Sequence, residues 1–170
     1  TFISEENNNL QQYLFSQLKM LSLPELDNII AKYIIQSLNE HGYLEGSPEE
    51  ISQALHTSPY KVEEILQIVQ SLDPPGIGAR NLQECLTIQL KRKGFEDPNV
   101  FLIVQKYLPE LGKNRLNIIA RELGISIDSV KKCCNLIKTL NPYPGNTFSP
   151  IRHIRYINPD VIVVKFKEYY

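Results

Sequence analysis

Apolar residues recur along this chain at three- and four-residue steps, and proline or glycine interrupts the steps at intervals. That period places side chains on one face of a helix. Leu10, Tyr13, Leu14, Leu18 and Leu21 form a first stripe over residues 4–21, with Ser4 placed to cap it. Leu26, Ile29, Ile30, Tyr33, Ile34 and Leu38 form a second; Pro24 suits its first turn and Gly42 ends it. The two predict an antiparallel hairpin with its stripes turned to the core. Ser47-Pro48-Glu49-Glu50 is a helix start, with a cap, a first-turn proline and a carboxylate three residues on. A short helix with Ile51, Ala54 and Leu55 follows. Thr57-Ser58-Pro59 then restarts the chain, and Val62, Ile65, Leu66, Val69 and Leu72 line the next helix.

The rest of the chain is organised around the stretch Ser71 to Leu86. Pro74, Pro75, Gly76 and Gly78 stop one helix and fix a tight loop. Asn81 starts another, with Glu84 at capping-box spacing and Leu82, Cys85, Leu86 and Leu90 on one face. Asp73 and Arg80 are the loop's charge pair and are expected to hold it in one shape. Arg80 carries five donors for carbonyls left open where the helix ends at Leu72. Glu84 is expected to reach back to the amide of Asn81. From the residues alone the loop reads first as a connector between helices, with Arg80 bonding loop carbonyls.

Gly94 breaks the pattern, and Asp97-Pro98 begins a helix lined by Phe101, Val104, Leu108 and Leu111 that Pro109 should kink or shorten. Gly112-Lys113-Asn114 opens a last helical pair. This pair repeats an earlier one. Ile51, Leu55, Ser58, Val62, Val69, Leu72 and Pro74 fall at a constant offset on Ile119, Leu123, Ser126, Val130, Ile137, Leu140 and Pro142. Each copy reads as a short helix, a turn and a longer helix. In the second copy Ser126, Asp128, Ser129, Lys131 and Lys132 would face DNA if the longer helix entered a groove. The first copy offers Glu63 and Glu64, which would repel phosphate, and so reads as a protein-docking unit. Val161 to Phe166 is β-branched and short, after an Asn158-Pro159-Asp160 turn.

These signals predict an all-α fold of two small helical subdomains with helix-turn-helix-like repeats and a short extended or β segment at the C-terminus. The divisions are residues 1–93, residues 94–145, and a basic extended segment 146–170 that reads as leading into a longer chain.

Charge changes this picture. The formal net charge of −1 hides an asymmetry: residues 1–70 hold ten acids against three bases, and residues 71–170 fifteen bases against nine acids. The two halves are suited to partners of opposite charge. Lys131, Lys132, Arg152 and Arg155 are the candidate phosphate contacts. Cys85, Cys133 and Cys134 make no disulfide framework, which points to a reducing cytosol. No apolar run is long enough to cross a bilayer. The three histidines are scattered and no Cys-x-x-Cys occurs, so neither a metal nor another cofactor is expected. No nucleophile elbow, phosphate loop or carboxylate pair predicts an enzyme.

The run Leu72-Asp73-Pro74-Pro75-Gly76-Ile77-Gly78-Ala79-Arg80-Asn81-Leu82-Gln83-Glu84-Cys85-Leu86, followed by Gln89-Leu90, resembles the core-binding region of sigma-54 family RNA polymerase sigma factors. Three further segments fit the family: His41-Gly42-Tyr43-Leu44, Leu140-Asn141-Pro142-Tyr143-Pro144-Gly145 and Tyr156-Ile157-Asn158-Pro159-Asp160-Val161. Asn81 stands where Asp is expected, and both cap helices. The resemblance implies a non-catalytic initiation factor that attaches to core RNA polymerase at the β-subunit flap, with β′ as a second candidate contact. Leu72, Asp73, Pro75, Gly76, Arg80 and Glu84 are then candidate core-polymerase contacts. It also implies promoter DNA as a partner in the holoenzyme, an AAA+ activator acting through the full-length protein, and a cytoplasmic, nucleoid-associated bacterial location. The competing expectation is a free-standing helix-turn-helix regulator of transcription.

Overall fold

The computed structural model of the chain describes residues 2–148, and they are mostly helical. Helices α1 (Phe2–Leu21), α2 (Glu25–Gln36), α3 (Pro48–Leu55) and α4 (Pro59–Gln70) form a first group. Helices α5 (Leu82–Arg92), α6 (Pro98–Lys106), α7 (Leu108–Gly112), α8 (Leu116–Leu123) and α9 (Ile127–Lys138) form a second, and a 3-10 turn covers Pro144–Phe148. Among the described residues there is no sheet, and Leu38 and Leu44 share an isolated antiparallel bridge. No helix among them is long and apolar enough to cross a membrane.

The starts follow the expected chemistry. Ser47 accepts from the Glu50 amide, Ser58 from Lys61, Asn81 from Glu84, and Asp97 from Asn99. Each satisfies an amide that the first helical turn leaves open. Proline occupies the first turn of α3, α4 and α6, where a missing N–H costs nothing. Pro109 splits the predicted sixth helix into α6 and the five-residue α7. The α3–α4 and α8–α9 pairs match in detail. Both short helices have eight residues and both longer ones twelve, and the short ones end on left-handed His56 and Gly124. The α1 start departs from expectation: the helix begins at Phe2, so Ser4 lies inside it and not at its N-terminal boundary. The extended segment expected from residue 146 also departs, because its first residues belong to the 3-10 turn. Its remainder lies outside the described residues.

Two apolar cores result. Leu10, Leu14 and Leu18 of α1 pack with Ile30, Ile34, Ile51, Val62, Ile65, Leu66 and Val69, and Ile77 of the loop joins them. Leu86 and Leu90 of α5 pack with Val100, Ile103, Val104, Ile119, Val130 and Ile137. The α1 and α2 stripes are wider than their buried part, since Tyr13, Leu21, Leu26 and Ile29 are exposed. The main helix-on-helix packing stays within each group, whereas the 3-10 turn crosses over to α1. The two units are thus joined by loops more than by helix faces.

Candidate functional site

Three of the sequence segments singled out above meet where the two units join. The middle piece is the turn Asn39–Leu44. The Asn39 carboxamide oxygen accepts from the His41 and Tyr43 amides at 2.9 and 3.1 Å, which closes an Asx-type turn. On one side the loop lies along this turn: the Gly78 amide donates to the Gly42 carbonyl, and the Leu44 amide to the Ala79 carbonyl, both at 2.9 Å. On the other side the Gly145 amide donates to the His41 carbonyl at 2.9 Å. Tyr43 donates its hydroxyl to the Pro142 carbonyl at 2.5 Å, and His41 Nδ1 meets Asn146 Oδ1 at 2.7 Å.

The loop fits because two of its residues lack a side chain. A Cβ at Gly76, whose φ is +97°, would lie 2.7 Å from Cys85 Sγ and 3.0 Å from Gln89 Nε2. Only glycine combines that φ with that approach at low cost. Gln89 is a polar side chain only 5% exposed. Its amide donates to the Asn141 carbonyl at 2.6 Å, and its oxygen accepts from the Asn141 amide at 2.8 Å. Gln17 of α1 grips Asp73 in the same way, donating to its carbonyl at 2.7 Å and accepting from its amide at 2.8 Å. Burial pushes the Tyr43 phenol and the Cys85 thiol up from their ordinary values, so both stay neutral in this packed centre.

The six candidate contacts gather here with different roles. Leu72 and Gly76 are buried and structural, Glu84 is half-buried, and Asp73, Pro75 and Arg80 are exposed. The expected Asp73–Arg80 pair is not formed. Arg80 instead takes Glu84 at 2.7 Å and Glu63 at 2.9 Å. Asp73 pairs with Arg92 at 3.1 Å, and Arg92 also donates to the Leu72 carbonyl at 2.6 Å. So Arg92, one turn of α5 beyond Gln89, closes the α4 end that Arg80 was expected to close. Glu84 reaches back to the amide of Arg80 at 2.9 Å, not to that of Asn81. Burial disfavours the Glu84 charge, yet the Arg80 side chain and amide outweigh it and hold the carboxyl below its usual range. Gln70 adds bonds to Glu84 and to the Gly78 carbonyl, both at 3.1 Å, and so ties α4 to the cap of α5.

Of the candidate DNA contacts, two fall among the described residues. Lys131 and Lys132 lie on the exposed side of α9, whose start is also exposed at Ser126 and Asp128. Arg152 and Arg155 lie outside the described residues. In the first copy, Lys61 and Glu63 are drawn into the fold, Lys61 to Asp27 of α2 at 3.0 Å and Glu63 to Arg80. Gln17, Arg92 and Asn146 escaped the sequence reading, as did the role of Gln89. The available signal was that Gln89 sits on the α5 face that carries Cys85, Leu86 and Leu90, where a polar residue needs a partner.

Comparison with known proteins decides the family. The model for the sigma-54 factor core binding domain matches residues 1–170. The chain belongs to the sigma-54 factor core-binding domain family. It is 39% identical over 169 residues to a Clostridium kluyveri protein provisionally named an RNA polymerase sigma-54 factor, covering 99% of this chain and 37% of that protein. It is 36% identical over 167 residues to the RNA polymerase sigma-54 factor of Pseudomonas aeruginosa, covering 94% and 33% respectively. For the Bacillus subtilis RNA polymerase sigma-54 factor the identity is 32% over 161 residues, covering 95% and 37%. The chain thus spans about a third of the length of the curated relatives it matches. Within this sigma-54 family chain, three segments that carried the resemblance are those that assemble the junction.

Proposed function

We propose that this chain is the core-polymerase-binding part of a sigma-54-type transcription initiation factor, a non-catalytic component of the holoenzyme. The observation that carries the reading is the family match over residues 1–170. The fold adds a physical reason: the matching motifs interlock by hydrogen bonds at one junction, where Asp73, Pro75 and Arg80 are exposed. In this reading the first unit, α1–α4 with the loop that follows them to Asn81, docks on core polymerase at the β flap; α5, which the division at residue 93 would include, packs in the second core. Its acidic balance and the first-copy helix pair suit a protein surface. The second unit, from α5 to residue 145, carries a helix-turn-helix-like pair whose Lys131 and Lys132 lie beside promoter DNA, with Arg152 and Arg155 further along the sequence. An AAA+ activator acts on the whole factor in the bacterial cytoplasm, not on this part alone.

The test is a titration of the chain against purified bacterial core RNA polymerase, with duplex DNA as a second titrant. Saturable binding to core polymerase and weak, salt-sensitive DNA binding are expected. About four phosphate contacts would give a log–log salt slope of roughly −3 to −4. No binding to core polymerase, together with tight sequence-selective duplex binding, would overturn the reading in favour of a free-standing regulator.

A further inference from the structure

We infer that the segment Asn141–Asn146 is a strap that locks the two helical units into one body, and that unseating it frees them to move. The units are two apolar cores with separate memberships. Their main helix packing is internal; the 3-10 turn packs across against α1, and on the other side side-chain ties cross, from Gln70 to Glu84 and from Arg92 to Leu72 and Asp73. Units joined through a small polar contact move relative to each other unless something fastens them. The strap supplies fasteners at both ends. At its start Gln89 holds both polar groups of the Asn141 backbone within the second unit. At its end Tyr43, the His41 carbonyl and His41 Nδ1 hold Pro142, Gly145 and Asn146 against the first. The His41 and Tyr143 rings stack obliquely, with centroids 4.8 Å apart.

Gly145 is the point where the strap can be unseated. A Cβ there would lie 2.6 Å from the Glu40 carbonyl oxygen, 2.6 Å from the His41 carbonyl carbon and 2.7 Å from the Gly42 nitrogen. All three are backbone atoms of the turn, so no rotamer change relieves the clash. A single methyl at residue 145 must lift the strap while leaving both apolar cores untouched. The strap therefore fixes the angle between the acidic first unit and the exposed face of α9. The functional consequence, a fixed placement of DNA relative to core polymerase, rests on the function proposed above.

The test measures the distance between spin labels on Lys32→Cys in α2 and Gln105→Cys in α6. Both positions are exposed, and the three native cysteines are buried. With the native strap one narrow distance population is expected. In Gly145→Ala the distribution should broaden about twofold or more, with helical content by circular dichroism unchanged, as expected when one conformer gives way to several. An equally narrow distribution in Gly145→Ala overturns the inference. Should Gly145→Ala not fold, the double variant Tyr43→Phe with Asn146→Ala removes two fasteners without a clash; a distribution as narrow as the parent's would again overturn it. Core-polymerase binding is read in parallel. Failure of the unsubstituted chain to bind core polymerase would sink the proposed function and leave the strap result standing.

Discussion

Gln89 and Asn141, 52 residues apart, form a two-bond clasp in which one side-chain amide satisfies both polar groups of one backbone residue. Gln17 and Asp73 make the same clasp at a separation of 56 residues. Asp73 and Asn141 occupy equivalent places in the internal repeat, and each precedes a proline. Each clasp therefore ties the end of a repeated helix pair to an earlier helix, α1 for the first and α5 for the second.

The two clasps differ in burial, and so in their expected energetic weight. Gln89→Ala would empty a buried position and remove two part-buried bonds to the Asn141 backbone, which should cost about 1–3 kcal/mol. Gln17→Ala opens its partner to water and should cost about 0.5–1.5 kcal/mol. Urea unfolding of both variants checks the order. Equal costs would mean that burial does not decide the matter.

Gly76 and Gly94 both have positive φ, +97° and +83°, but their surroundings differ. A Cβ at Gly94 would meet nothing within 4 Å, while one at Gly76 would meet Cys85 and Gln89. Gly94→Ala should cost about 1 kcal/mol of backbone strain, and Gly76→Ala about 2–4 kcal/mol. Melting temperatures of the pair separate strain from close approach.

Local pattern disclosed the helices because capping and periodicity are short-range. Ser47-Pro48, Ser58-Pro59, Asn81, Asp97-Pro98 and Ser126 each start a helix where the residues say so. The partner of a charged or polar group set many residues away is different: it depends on how the chain folds back. Arg80 and Asp73 are neighbours in sequence, yet Arg80 turns to Glu63 across α4 and leaves Asp73 to Arg92. Likewise nothing local to His41 indicates that Asn146 will reach it. The junction was legible as three motifs, but not as one place.

Glu84 gives a pH signature. Its carboxyl is held below the usual range by Arg80 against the cost of burial. A depressed folded pKa contributes stability above the unfolded value of about 4.3, and this is lost as pH falls through the folded value. Glu84→Gln should be less stable than the parent at pH 7, and the gap should close as the pH is lowered below about 4. A gap independent of pH would show that the Arg80 pairing does not stabilise the fold.

Arg80 and Arg92 should separate stability from docking. Arg92→Ala leaves the half-buried Leu72 carbonyl unpaired and should cost about 1–3 kcal/mol. Arg80→Ala removes a more exposed pairing and should cost about 1 kcal/mol or less. Under the proposed function, Arg80→Ala nonetheless weakens core-polymerase binding by more than its stability loss explains. Full-strength binding by a folded Arg80→Ala chain would make the loop a connector and nothing more.

Under the proposed function, the first unit carries the docking surface for core polymerase. Hydrogen–deuterium exchange of the whole chain, free and bound to purified core RNA polymerase, tests it most directly. New protection is expected within residues 10–81, including the loop from Asp73 to Arg80, with α8 and α9 little changed. Protection confined to residues 96–148 would contradict it.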